Sequence, residues 1–169
     1  MELQAWWTQE LSGAEQAAVR EATGVPSTDI PMLLLSVGRP ADVAVEEDCR
    51  RLVERTVAAF GRIDTLVNNA GATMWARFED IADLSILARI MQVNYMGAVY
   101  CTHYALPHLK ASRGRLAGIA SLTALVGVPT RSGYAASKHA MRGFFDSLRI
   151  ELADSGVSVT MIYPGFVST

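Results

Sequence analysis

The sequence predicts an α/β fold, a parallel sheet with helices on both of its faces. Three observations lead there. Short apolar runs of strand length recur at residues 63–68, 116–121 and 157–162. Between them lie helical patterns long enough to cross back over a sheet, and this alternation is the signature of parallel βαβ units. Small and polar residues collect just after each run, at Asn68-Asn69-Ala70-Gly71, at Ser121 and at Tyr163-Pro164-Gly165. Ligands bind beyond the carboxyl ends of the strands in such sheets, so a site is expected there.

Bulk properties narrow the function. The 169 residues suit one domain with its own core, and 50% apolar with 19% charged is a globular mix. A net charge of -2 with no basic run argues against a nucleic-acid partner. No apolar stretch reaches the ~20 residues of a membrane span, and Glu2, Trp6 and Trp7 stand where a signal peptide would carry basic and then apolar residues. Cys49 and Cys101 lie in helical patterns without C-x-x-C spacing. No disulfide framework and no metal site are expected, and a reducing, cytoplasmic location is.

The chain divides at residue 40. Residues 1–40 read as an atypical N-terminal segment, a helix plus a short strand. Ser12-Gly13-Ala14-Glu15 has capping-box spacing, Ala17, Ala18 and Ala22 continue the helix, and residues 32–37 form the strand. Residues 41–169 read as the main domain. Cys49, Leu52, Val53, Thr56, Val57 and Phe60 make the apolar stripe of a helix that Gly61 ends. A helical stretch then runs from Asp80 or Asp83 to about Lys110, with a break near Asn94. Gly118 weakens the second strand. Ser132 opens a helix whose core face is read as Ala136, Ala140, Phe144, Leu148 and Leu152, and Gly156 stops it.

That last helix carries Tyr134 and Lys138. Residues four apart share a helix face, so the ammonium can lie near the phenol. A tyrosine ordinarily titrates near ~10, and a fixed positive charge lowers that value, which suits general acid–base work at neutral pH. Such a pair alone is an ordinary surface motif; context decides. Ser121 supplies it, because a carbonyl held between the Ser121 and Tyr134 hydroxyls would be polarised and could receive a proton. Asn94 stands inside a helical pattern that disfavours it, so a local distortion there is expected, one able to hold a water linked to Lys138.

Asn68-Asn69-Ala70-Gly71, Asn94, Ser121, Tyr134-x-x-x-Lys138 and Pro164-Gly165 occur in the order and approximate spacing of the short-chain dehydrogenase/reductase family, which the chain resembles from about Ala41 to Thr169. The resemblance implies a Rossmann-like parallel sheet and an oxidoreductase that interconverts a secondary alcohol and a carbonyl with NAD or NADP. It implies Tyr134 as acid/base, with Lys138 lowering its pKa and binding the nicotinamide ribose. Ser121 would orient the carbonyl and Asn94 would anchor a proton relay. Asp42 and Val43 resemble the adenine contact. Asn68, Ala70 and Gly71 would line the cofactor, and Pro164, Gly165, Val167 and Thr169 would grip the nicotinamide carboxamide. A small apolar alcohol or carbonyl is the expected substrate, and a homodimer or homotetramer the expected assembly.

The sequence also departs from that family. A glycine-rich turn, G-x-x-x-G-x-G, which holds the cofactor's pyrophosphate, is missing from residues 1–40, where Gly13, Gly24 and Gly38 are isolated. The domain is therefore expected to be truncated at both ends, with residues 32–37 covering the edge of strand 63–68. An out-of-frame or alternative start before residue 40 is one reading of the abrupt onset. Two functions follow: a competent oxidoreductase, or a cofactor-compromised chain serving in subunit association.

Overall fold

The computed structural model describes residues 42–165. Three parallel strands form the sheet in the order β1 (Thr65–Asn68), β2 (Arg115–Ile119), β3 (Ser158–Ile162). Leu66 pairs with Leu116, and Leu116 with Val159. The strand expected at residues 32–37, and its pairing beside β1, lie outside the described residues.

Helix α1 (Glu46–Phe60) precedes β1, and its first turn carries Glu46, Glu47 and Asp48, charges that complement the positive end of the helix dipole. Gly61 ends it at φ 77°, a conformation that suits glycine. Cys49, Val53 and Thr56 are buried as the stripe predicts. Phe60 is not: it is 63% exposed, one turn beyond Thr56, where the helix outruns the core.

The long helical stretch is composite. A 3₁₀ turn (Phe78–Asp80), helix α2 (Ser85–Met91), a π turn (Gln92–Met96) and helix α3 (Gly97–Ser112) follow one another. Helix α3 packs on α1 and on β1 and β2, and Gly97 lets it approach Val43, whose Cβ would lie 3.0 Å from any Cβ at 97. Helix α4 (Ser132–Glu151) lies between β2 and β3 in the chain and packs on β3. Val53, Leu66, Ala105, Leu109, Leu116, Phe145 and Leu148 belong to one apolar cluster shared by α1, α3, α4 and the sheet.

The core face of α4 differs from the expected one. Ala135, Ser137, Lys138, Met141, Phe145 and Leu148 are buried, whereas Ala136 is exposed and Ala140 and Phe144 are half-buried. Leu148 and Leu152 are buried as expected. Two polar residues, Ser137 and Lys138, occupy core positions, and they disguise the true stripe because a periodicity reading assigns such residues to water.

Gly118 has a packing role instead of a weakening one. A Cβ there would lie 2.7 Å from Met161 Sδ and 3.0 Å from Phe145 Cε1, so the missing side chain is what lets these groups close over β2. The tightest site is Gly114, where a Cβ would fall 2.5 Å from the Asp64 carbonyl oxygen and 2.8 Å from Ser112 Oγ. Backbone cannot step aside as a flexible side chain can. Gly114→Ala is expected to destabilise the fold by about 1–3 kcal/mol, the usual scale of overpacking, read as a lower urea midpoint; an unchanged midpoint would contradict the packing described for the α3–β2 turn.

Candidate active site

The site is assembled around the π turn. Widening the helix there brings Asn94 inward, where it is 1% exposed. Its Oδ1 accepts from Ala72 N at 2.7 Å, and its Nδ2 donates to Ala72 O and to Ser137 Oγ, both at 2.9 Å. One side chain thus joins the segment after β1, the π turn and helix α4. The distortion expected near Asn94 is present. Both amide hydrogens are already used, however, so the side chain has no donor left for a relaying water.

Ser137 and Lys138 share the turn of α4 that Asn94 holds. Lys138 is 3% exposed, and its Nζ donates to the Ile119 carbonyl at 2.8 Å, at the end of β2. Burial disfavours the ammonium and brings its pKa down to about 8. An ammonium carries three donors, and that carbonyl is its one partner among the described residues. Gly71 forms the facing wall: a Cβ there would lie 3.6 Å from Asn94 Oδ1 and 3.7 Å from Lys138 Nζ. A buried cation with spare donors beside a wall without a side chain suits a polyol such as a ribose.

Tyr134 lies one helical turn before Lys138, packed on a small apolar cluster of Ala72, Met74 and Ile90. Ser121, which follows β2, begins the 3₁₀ turn Leu122–Ala124 and accepts from Thr123 N at 3.3 Å. Burial pushes the Tyr134 phenol above its ordinary value, while the facing Ser121 hydroxyl and the Arg131 guanidinium pull it back. Lys138 Nζ lies 5.8 Å from the Tyr134 ring centroid, and with its pKa at about 8 it stays largely protonated at neutral pH.

The other expected residues are distributed around this centre. The Pro164 carbonyl accepts from Leu122 N at 3.2 Å, and Gly165 lies against the Leu122 side chain, so both border the turn after Ser121. Ala70 is exposed beside Gly71. Asn68 is buried, and its Nδ2 donates to Thr102 Oγ1 on α3 at 3.1 Å, which commits the side chain to the core. Asp42 Oδ1 accepts from Ala44 N at 3.0 Å, Val43 is buried against Gly97, and Gln92 Nε2 reaches the Ala44 carbonyl at 3.0 Å. The Asp42-Val43 corner thus adjoins the π turn. Val167 and Thr169 lie outside the described residues.

Sequence reasoning missed four neighbours of the site. Ser137 is the far anchor of Asn94. Arg131 Nη1 donates to Thr73 Oγ1 at 2.5 Å, and its guanidinium carbon lies 3.3 Å from the Trp75 ring centroid and 5.5 Å from that of Tyr134. No periodicity marks Arg131, Thr73 or Trp75, which lie in loops. A basic residue one turn before a candidate tyrosine was the only sequence signal. Trp75, Phe78, Leu122, Leu125 and Val126 leave apolar surface exposed on these loops.

The profile of the family described as short chain dehydrogenase matches residues 35–169. The chain belongs to that family. It is 47% identical over 126 residues to the 11-beta-hydroxysteroid dehydrogenase-like 4A of Arabidopsis thaliana, covering 75% of this chain and 42% of that protein. It is 42% identical over 129 residues to the 11-beta-hydroxysteroid dehydrogenase A of Arachis hypogaea, covering 76% of this chain and 37% of the relative. The chain therefore spans less than half the length of these relatives. Among solved structures, ElxO with NADP bound superposes with a TM-score of 0.71 at 31% identity, covering 75% of this chain and 52% of that one. An alcohol dehydrogenase from Thermococcus sibiricus, complexed with 5-hydroxy-NADP, gives 0.71 at 26% identity, with 76% and 53% covered. These structures share the parallel Rossmann-like sheet. No helix among the described residues is long and apolar enough to cross a membrane.

Two predictions follow from this geometry. Asn94→Ala would leave the buried Ala72 N–H and C=O unpaired, at about 1–3 kcal/mol for each group, so a urea titration should show a clear loss of stability. An unchanged midpoint would mean that Asn94 does not hold the segment after β1. Lys138 binds fewer protons in the fold than in the unfolded chain between about 8 and its ordinary 10.5. Its unfavourable contribution, about 3 kcal/mol at neutral pH, should therefore fade as pH rises through that window. Lys138→Met should be more stable than the parent at pH 7, with the difference closing towards pH 10.5; a constant difference would contradict the buried ammonium.

Proposed function

We propose that the protein is an NAD(P)(H)-dependent oxidoreductase that interconverts a secondary alcohol and a carbonyl. One observation carries the reading: the Tyr134 phenol faces the Ser121 hydroxyl, one turn from a buried ammonium, at the carboxyl ends of parallel strands. The nicotinamide cofactor, when bound, supplies or accepts hydride. Tyr134 moves the proton at the substrate oxygen, and Ser121 orients that oxygen by a second hydrogen bond. Lys138, with its spare donors, holds the nicotinamide ribose against Gly71 and Ala70. Pro164, Gly165, Val167 and Thr169 take the carboxamide end, and Asp42 and Val43 the adenine end. Asn68 and Asn94 act by holding these walls in place.

The residues present fit the ribose end of such a cofactor, because Lys138 keeps unused donors in a buried site. They do not include a glycine-rich cradle for the pyrophosphate in the 169 residues. A second reading is a cofactor-compromised chain whose α3 and α4 serve in forming a homodimer or homotetramer. The two solved neighbours whose printed titles carry NADP compounds support trying NADPH beside NADH. The substrate is proposed to be apolar. Support comes from the exposed Trp75, Phe78, Leu122 and Val126 and from relatives named for hydroxysteroids, which are apolar alcohols. A cytoplasmic location belongs to the same proposal.

The test is a fluorescence titration of NADH and NADPH against the purified chain, followed by turnover with a hydroxysteroid and its ketone. Saturable binding and turnover that drops about 10²–10⁴-fold in Tyr134→Phe are expected. Absence of binding by both cofactors overturns the first reading and leaves the second.

A further inference from the structure

Arg131 is a cation fixed beside Tyr134 with most of its hydrogen bonds unmade. It stands at the start of helix α4, where its carbonyl accepts from Ala135 N at 2.7 Å. Its side chain is clamped as well: Nη1 donates to Thr73 Oγ1, and the Trp75 ring covers the guanidinium at 3.3 Å. A backbone bond from Ala76 N to Thr130 O, at 3.1 Å, ties the two loops together. Thr130 adopts φ 65°, in the left-handed region that a β-branched side chain rarely enters. Such strain persists where surrounding contacts over-determine it, and it clusters at functional sites.

A guanidinium offers five N–H donors in a rigid fork. Thr73 Oγ1 is the one side-chain acceptor that meets Arg131 among the described residues, and no ion pair among them includes it. Two acids of the adjoining segment are committed elsewhere: Glu79 pairs with Arg77 at 3.0 Å, and Asp83 accepts from Ser85. Being half-buried, Arg131 gives up part of its hydration without a counter-charge in return. Stacking on Trp75 occupies one face of the guanidinium and leaves its N–H groups, which lie in its plane, open to a ligand. The same loops present apolar surface at Trp75, Leu125 and Val126. The guanidinium carbon lies 5.5 Å from the Tyr134 ring centroid, so a ligand oxygen at the phenol and an anion at the fork need only a few bonds between them.

We propose that Arg131 is a specificity-determining residue whose fork receives a carboxylate of the substrate, an apolar alcohol or ketone that carries this carboxylate a few bonds from the reacting carbon. This deepens the proposed function and rests on its reading of Tyr134 as the group that meets the substrate oxygen. A carboxylate suits the fork because its two oxygens can accept two parallel N–H bonds. Trp75 keeps the fork in one orientation, and the apolar surface of the loops takes the rest of the substrate chain.

Calorimetric titration with γ-oxodecanoate and with its methyl ester tests this, in the presence and absence of NADPH. The parent should bind the acid about 10- to 100-fold more tightly than the ester, the worth of charge-assisted hydrogen bonds. Added salt should narrow that gap. Arg131→Gln should bring the ratio of the two affinities towards one, and Arg131→Lys, which keeps the charge without the fork, should restore part of it. If Arg131→Gln fails to fold by circular dichroism, Arg131→Lys and the salt dependence of the parent decide. Where turnover is seen, KM for the acid should rise in Arg131→Gln by a larger factor than kcat falls. Equal binding of acid and ester by the parent, or binding of neither, overturns the proposal. So does a preference that survives in Arg131→Gln, as a carboxylate seated on Lys138 would give. A preference lost in Arg131→Gln, in a chain that binds no cofactor and turns nothing over, supports the carboxylate site and removes the enzyme reading. Turnover of neutral ketones with no preference for the acid does the reverse.

Discussion

The three hydrogen bonds of the Asn94 side chain constrain the site more than any other contact. They run to both backbone groups of Ala72 and to Ser137 Oγ, and so lock three segments distant in sequence. Ser137 in turn donates to the Tyr134 carbonyl at 2.7 Å, which ties the anchor to the helical turn bearing the phenol. The π turn is what makes the arrangement reachable. A regular helix through residues 92–96 would rotate Asn94 differently, and a buried amide without partners would carry a desolvation penalty of about 1–3 kcal/mol. Geometry irregular in the helix is therefore maintained by polar contacts outside it.

From that anchor the site builds outward by close approach. Gly71 can face Lys138 Nζ because it has no side chain, and Lys138 can stay inside because the end of β2 offers it a carbonyl. Burial then does two opposed things to the chemistry. It sets donors ready for a ligand, and it lowers the pKa of the ammonium while raising that of the phenol. Arg131, one turn before Tyr134 and only partly enclosed, is a guanidinium, which is less easily neutralised than an ammonium.

Much of this was legible in the sequence where a residue type has few alternatives. The strands at 65–68, 115–119 and 158–162 fall inside or beside the apolar runs, and Gly61 closes α1 where its spacing predicts. Asn94 announced itself as an unfavourable residue in a helical pattern, and the π turn is the physical form of that discord. The face of α4 was misjudged because alanine is silent in a periodicity reading while Lys138 and Ser137 argue for the wrong side. Gly118 was read as a weakness because its contacts, Met161, Phe145 and Met141, come from β3 and α4 and are not local. Arg131 could not be ranked at all: its partners Thr73 and Trp75 reach it only through the pairing of two loops.

The same distinction explains why the motif and its setting carry different information. Tyr134 and Lys138 are fixed by helical spacing, so their proximity follows from four residues of chain. Their ionisation does not, since it depends on burial by Ala72, Met74 and Ile90 and on which cation the surrounding loops present. The loops at 72–77 and 125–131 carry Trp75 and Arg131, which stack on each other. In this chain those loops are joined at Ala76 and Thr130, so the apolar surface around Trp75 and the charge on Arg131 are parts of one assembly.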